Sequence, residues 1–157
     1  MTARLEILVE SRRIEALPAA DEEVASAWEK ALRTLRSSRL EGLDVEPAFT
    51  LAYQSALQCC AAVLRAAGYR AIGRDHHHSI FAGVAALEAG ELSRIARAAD
   101  DMRVERHEAV YGSTVAIDHA QLEEMYDVAA RMFAAAHAWL RAARPALDVA
   151  PPPAPER

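Results

Sequence analysis

Cysteine is scarce in this sequence of 157 residues, and its two copies, Cys59 and Cys60, stand next to each other. Neighbouring residues of a helix point about 100° apart, so these two thiols are badly placed for a structural disulfide. Neither cysteine has a second ligand at a metal-binding spacing. We therefore expect two small buried hydrophobic residues, no metal site and no cofactor.

Glycine is also scarce, with six residues, and most of the seven prolines lie near the chain ends or between periodic segments. Together with abundant alanine, this composition favours helix almost throughout. The predicted fold class is all-α, an up-and-down bundle of about five to six helices. Residues 1–147 are predicted to form one helical domain, and the Pro-rich residues 148–157 a disordered C-terminal tail.

Long apolar runs and an excess of positive charge are both missing. No apolar segment approaches the roughly 18 residues of a transmembrane helix, and no signal peptide is recognisable, so we expect a cytoplasmic protein that makes no membrane contact. Eighteen basic residues stand against 23 acidic ones, a formal charge of −5. Such a chain has no global field that attracts nucleic acid, and any nucleic-acid binding must use a local patch.

Apolar residues recur at helical spacing in six segments, separated by glycine, proline and polar turns. The predicted helices are 3–17, a segment from Asp21, 47–67, 76–88, 91–112 and 118–144, with a loop at 69–75. The last segment repeats apolar residues at intervals of three and four, from Leu122 to Ala143. This spacing is typical of a helix that packs in a bundle or in a dimer seam.

The strongest functional pattern lies at the end of the fifth segment. Asp100, Arg103, His107 and Tyr111 follow one another at intervals of three and four, so on a continuous helix they form one polar row. Arg103 and Arg106 fall on the apolar face of the same helix. An arginine that faces the interior is costly unless it is paired or lies at an interface. The competing interpretation is a solvated helix end with a few ion pairs.

Three consecutive histidines, His76, His77 and His78, open the fourth segment. Consecutive helical residues cannot all face one metal, and no cysteine or acidic residue repeats four positions away, so zinc is not predicted. We expect one or two of the three histidines to face a neighbouring helix or a phosphate. Simple packing at the start of the helix is the alternative.

The order of these motifs resembles the bacterial HEPN domains. The matching stretches are FTLAYQSA at 49–56, VLRAAGYR at 63–70, the histidines of 76–79, and RVERHEAVY at 103–111. The resemblance covers about 22–140. It implies a small all-α bundle that forms a homodimer, with the polar motif of each protomer near the dimer interface.

The resemblance also implies a function. Active HEPN domains are metal-independent ribonucleases, often toxins paired with a nucleotidyltransferase-like antitoxin, and others bind RNA or nucleotides. By this resemblance Arg103 and His107 are the catalytic candidates. Its candidates for binding RNA or a nucleotide are Arg103, Arg106, Tyr111, Asp100, His77 and His78.

The spacing of the polar motif leaves two functions open. Arg103 and His107 have only three residues between them, and Tyr111 follows His107 by four positions rather than two. The first function is a homodimer that binds RNA or a nucleotide and acts as a metal-independent endoribonuclease of a toxin–antitoxin system. The second is a catalytically inactive HEPN module for dimerisation or regulation, which binds a partner protein.

Overall fold

The computed structural model describes residues 1–103 and 116–154. Within these ranges the chain is mostly helical, which confirms the predicted all-α bundle. In chain order the elements are α1 (Ala3–Glu10), β1 (Ile14–Ala16), α2 (Asp21–Ser38), α3 (Val45–Ala66), β2 (Tyr69–Ala71), α4 (His76–Ala85), α5 (Glu91–Asp101) and α6 (His119–Ala143). None of the described helices is both long and apolar enough to cross a membrane.

Helix α3 is the centre of the core, since α2, α4, α5 and α6 all pack against it. Its alanines and cysteines are buried on several sides, and small side chains let neighbouring helices approach closely. The largest fully buried side chains include Trp28 of α2, Tyr53 of α3 and Phe133 of α6. Trp28 and Phe133 rings lie 5.4 Å apart at a tilted angle, a favourable aromatic arrangement.

Helix α6 begins as predicted at Asp118, where the carboxylate accepts from the Gln121 backbone N–H at 2.8 Å. The Gln121 side chain accepts in return from the Asp118 backbone N–H at 2.9 Å, which completes a capping box. The apolar stripe of this helix is buried against the rest of the chain from Leu122 to Ala136. Of the two predicted alternatives, the stripe is therefore a bundle seam.

The first predicted helix is wrong beyond Glu10. Arg12 adopts a positive φ of 55°, and the chain then turns into β1, which pairs antiparallel with β2 in the register Ile14 to Ala71. Backbone bonds from Leu17 to Gly68 at 2.8 Å and from Ile72 to Arg13 at 2.9 Å extend the ladder on both sides. Non-local pairing and the burial of Ile14 outweigh local helix propensity here, and part of the predicted 69–75 loop is a strand.

One other predicted helix ends early, and another is interrupted within its predicted range. Helix α4 stops at Ala85 rather than Glu88, and Glu88 has a positive φ of 57° that no α-helix accommodates. Helix α5 ends at Asp101 with Met102 as its C-cap, and Arg103 is helical again, whereas the sequence predicts one helix from 91 to 112. Residues 104–115 lie outside the described part of the chain.

The segment after α6 packs back on the bundle. Leu147 and Val149 are buried, and the Trp28 indole N–H donates to the Ala150 carbonyl at 2.8 Å. A buried indole N–H needs such an acceptor. The packed part of the chain thus continues past residue 147, where the sequence places the end of the domain.

Candidate functional site

Asp100 is the centre of a polar cluster that joins the end of α5 to the start of α4. One carboxylate oxygen lies 2.6 Å from Nδ1 of His78. The other accepts from Nε of Arg103 at 3.1 Å. Three of the residues predicted from the sequence therefore meet in space, and we call His78, Asp100 and Arg103 the Asp100 cluster.

The two helices position this cluster through their apolar faces. Helix α5 buries Leu92, Ile95 and Ala99 towards α4 and α6, which leaves Asp100 at the edge of the packed surface. Side-chain exposure is 20% for Asp100, 37% for His78 and 39% for Arg103. The cluster is therefore half-buried, where ionic hydrogen bonds are stronger than in bulk water and the side chains still reach solvent.

The contact with Asp100 also determines how His78 can act. A carboxylate only accepts hydrogen bonds, so Nδ1 of His78 carries a proton and donates a hydrogen bond to Asp100. In a neutral ring the proton acceptor is then Nε2, on the opposite edge. An imidazole oriented in this way by a carboxylate is suited to general acid–base chemistry.

Arg103 does not lie in the core, although helical periodicity places it on the apolar face of its segment. Helix α5 ends two residues before it, and its side chain is half-exposed and paired with Asp100. The cost of burying an unpaired guanidinium therefore does not arise. Arg106, His107 and Tyr111 lie outside the described residues, so the polar row that continues from Arg103 stays a prediction.

His77 has a different partner from His78. Its Nδ1 lies 3.2 Å from the Tyr53 hydroxyl, and the two rings are 5.9 Å apart. Tyr53 is fully buried in α3. His77 therefore docks α4 onto the core, as expected for a histidine that faces a neighbouring helix, while His78 turns to Asp100.

A cleft of about 290 Å³ opens beside the Asp100 cluster, between α1, α4 and α5. His78 and Asp100 form part of its wall, together with two arginines that sequence reasoning missed, Arg4 and Arg97. The remaining wall is apolar and includes Leu8, Phe81, Ala82, Ala85, Ala86 and Ala96. No motif marks Arg4 or Arg97, because the cleft exists only where α1 docks against two distant helices.

Helix α1 is fixed in that position by both polar and apolar contacts. The Thr2 hydroxyl donates to the Ala86 carbonyl at 2.7 Å and accepts from the Leu5 backbone N–H at 3.2 Å. One side chain thus caps α1 and ties it to the end of α4. Leu5 and Leu8 are buried below it, so the cleft wall formed by α1 is part of the folded structure.

Metal binding and thiolate chemistry lack suitable groups in 1–103 and 116–154. No three His, Cys, Asp or Glu side chains are grouped there so that they could hold a metal ion. Both cysteines are free and buried, as predicted. Burial raises the pKa of the Cys59 and Cys60 thiols, and for Cys59 the neighbouring Cys60 charge raises it further. Neither residue therefore offers a reactive thiolate at neutral pH.

Comparisons of this chain with protein-family models, with curated proteins and with solved structures found no match. The resemblance to HEPN domains therefore stays a prediction based on the motifs.

Proposed function

We propose that this chain binds RNA or a nucleotide through phosphate contacts at the Asp100 cluster, as a HEPN-like homodimer. The observation that carries the proposal is the contact of Asp100 with both Arg103 and His78. It gives the first arginine of the RVERHEAVY motif a fixed position at a partly exposed surface. Arg106, His107 and Tyr111 extend the same site in the sequence.

Arginine is suited to this role because of its planar fork of donors. The Nε group of Arg103 is bonded to Asp100, and a guanidinium carries four further N–H donors on its two terminal nitrogens. These can bind two oxygens of one phosphate. Asp100 thus orients the fork, and the phosphate is bound by its outer edge.

The same cluster favours a second step, which is RNA cleavage without metal. The reaction requires a base that takes the 2′-hydroxyl proton, an acid that protonates the leaving 5′-oxygen, and a cation beside the phosphorane. We assign the two proton transfers to His78, oriented by Asp100, and to His107, and the cationic role to Arg103. Products then carry 2′,3′-cyclic phosphate and 5′-hydroxyl ends.

Binding is tested by fluorescence anisotropy of a labelled single-stranded RNA with the full chain. Arg103→Ala should weaken binding by about ten-fold or more, since a charged hydrogen bond contributes roughly 1.5–3 kcal/mol. The matched control is Arg94→Ala, an exposed arginine of the preceding helix α5. Arg94→Ala should lower RNA affinity only slightly, by no more than the loss of one positive charge anywhere on the surface would. Equal effects of the two variants would remove Arg103 from the proposed site.

Cleavage is tested by incubating the purified protein with total cellular RNA, with and without EDTA. EDTA should have no effect. His78→Ala and His107→Ala should each slow cleavage by about 10²–10⁴, while His119→Ala, at the exposed start of α6, should not. Intact RNA together with Arg103-dependent binding would exclude the enzyme and leave the binding function. Loss of both would favour the regulatory module that binds a partner protein.

A further inference from the structure

We propose that the cleft between α1, α4 and α5 binds a medium-chain carboxylate, a straight hydrocarbon chain with one anionic head. The apolar chain lies against the alanine-rich wall, and the head group pairs with Arg4 and Arg97. The cleft shares His78 and Asp100 with the proposed phosphate site, but Arg103 is not among its lining residues, and Arg4 and Arg97 belong to neither the RVERHEAVY motif nor the Asp100 cluster.

The shape of the cleft results from small side chains on two helices. Its apolar lining comes from Ala82 and Ala85 of α4, from Ala86 directly after that helix and from Ala96 of α5, together with Ile7, Leu8 and Phe81. Larger residues at the alanine positions would fill this space, as they do in most helix packings. Its volume of about 290 Å³ is close to the lower end of small-molecule sites, about 300 Å³.

Charge at the rim favours an anion. Arg4 and Arg97 are both exposed on the helices that border the cleft. The acidic residue of the cleft, Asp100, already bonds with His78 and Arg103, so its charge is largely compensated. A carboxylate between two guanidinium groups makes charge-assisted hydrogen bonds.

The apolar part of the wall favours a hydrocarbon chain over a nucleobase. A base has donors and acceptors around its edge, and burying them without partners costs free energy. Among the residues that line the cleft, polar side chains are confined to Arg4, His78, Arg97 and Asp100. A hydrocarbon chain has no polar edge to satisfy and gains from every methylene that it buries.

The probes are hexanoate, heptanoate and octanoate, titrated into the full chain by isothermal titration calorimetry. One carboxylate should bind per chain, and affinity should rise about four-fold with each added methylene. Octylamine, with the same chain and the opposite charge, should bind at least ten-fold more weakly than octanoate. Equal binding of octanoate and octylamine would overturn the proposal, because it would show apolar adsorption without recognition of the head group.

Variants test each half of the site. Ala82→Leu should fill the cleft and reduce octanoate affinity at least ten-fold. Arg97→Glu should reduce it roughly three- to ten-fold, whereas Arg94→Glu, the same change one turn away on α5, should leave it unchanged. If Ala82→Leu disturbs folding by circular dichroism, the Arg97 and Arg94 pair decides alone.

Two results would overturn the assignment. One is unchanged octanoate affinity in Arg97→Glu or in a folded Ala82→Leu variant. The other is competition in which AMP displaces octanoate and Ala82→Leu weakens AMP binding as much as octanoate binding, since this would place the nucleotide in the cleft rather than at Arg103. RNA binding is measured separately and depends on Arg103, so either site can fail while the other stands.

Discussion

Arg144, immediately after α6, holds three separate parts of the chain together. Its guanidinium donates to the Ala66 carbonyl from Nε at 3.2 Å and from one terminal nitrogen at 3.1 Å. The other terminal nitrogen donates to the Ala19 carbonyl at 2.9 Å and to the Asp21 carboxylate at 2.7 Å. The side chain is only 22% exposed, so these bonds are partly shielded from water.

Replacing Arg144 by alanine removes these bonds and leaves two carbonyls without their donor. Ala66 ends α3, where no intrahelical partner is available for its carbonyl. Losing bonds to a charged donor costs about 1.5–3 kcal/mol, and the ion pair adds little because Asp21 is 45% exposed. We therefore expect Arg144→Ala to lower the free energy of unfolding by about 2–3 kcal/mol.

Arg144→Lys should recover only about half of that loss, because one ammonium cannot span Ala66, Ala19 and Asp21 as the planar fork does. The matched control is Arg141→Ala, an exposed arginine at the end of the same helix, expected within about 0.5 kcal/mol of the parent. Urea unfolding followed by circular dichroism measures the change, with an unaltered m-value as the two-state check. Equal midpoints for Arg144→Ala and Arg141→Ala would show that Arg144 stabilises the fold no more than an exposed arginine does.

Three further predictions concern the stability of the fold. Asp118→Ala should remove the α6 capping box and cost about 0.5–2 kcal/mol in the same urea assay, with Asp118→Asn largely restoring it. Trp28→Phe should cost about 1–3 kcal/mol, because the Ala150 carbonyl loses its donor and the smaller ring leaves a gap; an unchanged midpoint would contradict this. Burial raises the pKa of Cys59 and Cys60 above their ordinary value of 9.0, so the unfolded chain releases these protons first. The buried thiols should therefore contribute their full share to the free energy of unfolding below about pH 9, and this contribution should decrease above it. Replacing both cysteines by alanine should make the free energy of unfolding less dependent on pH in that range.

The helices could be predicted from the sequence where the signal is local. The cap at Asp118 with Gln121 three residues later, and the breaks around α3, each depend on neighbouring residues. The β1–β2 pair could not, because Ile14 meets Ala71 across most of the first half of the chain. Local propensity in 3–17 is helical, and only the distant partner makes the extended form favourable.

Only the local part of the candidate site could be predicted from the sequence. Spacing of three residues relates Asp100 to Arg103, and this contact is present. His78 could be named as a candidate, but its partner lies 22 positions away on another helix, and no periodicity links the two. Arg4 and Arg97 belong to no recognisable motif, and the cleft that they line forms only when α1 packs against α4 and α5.

The most direct test of the account is nuclear magnetic resonance of the Arg103 side chain during titration with RNA. The RNA carries 2′-deoxy residues at its possible cleavage positions. Because cleavage needs the 2′-hydroxyl, this RNA binds without being cleaved. The account predicts that the Arg103 Nε–H and the His78 imidazole signals shift together and saturate, while those of Arg94 and His119 stay in place. Saturable binding with shifts confined to other residues, or no shift at all, would contradict it.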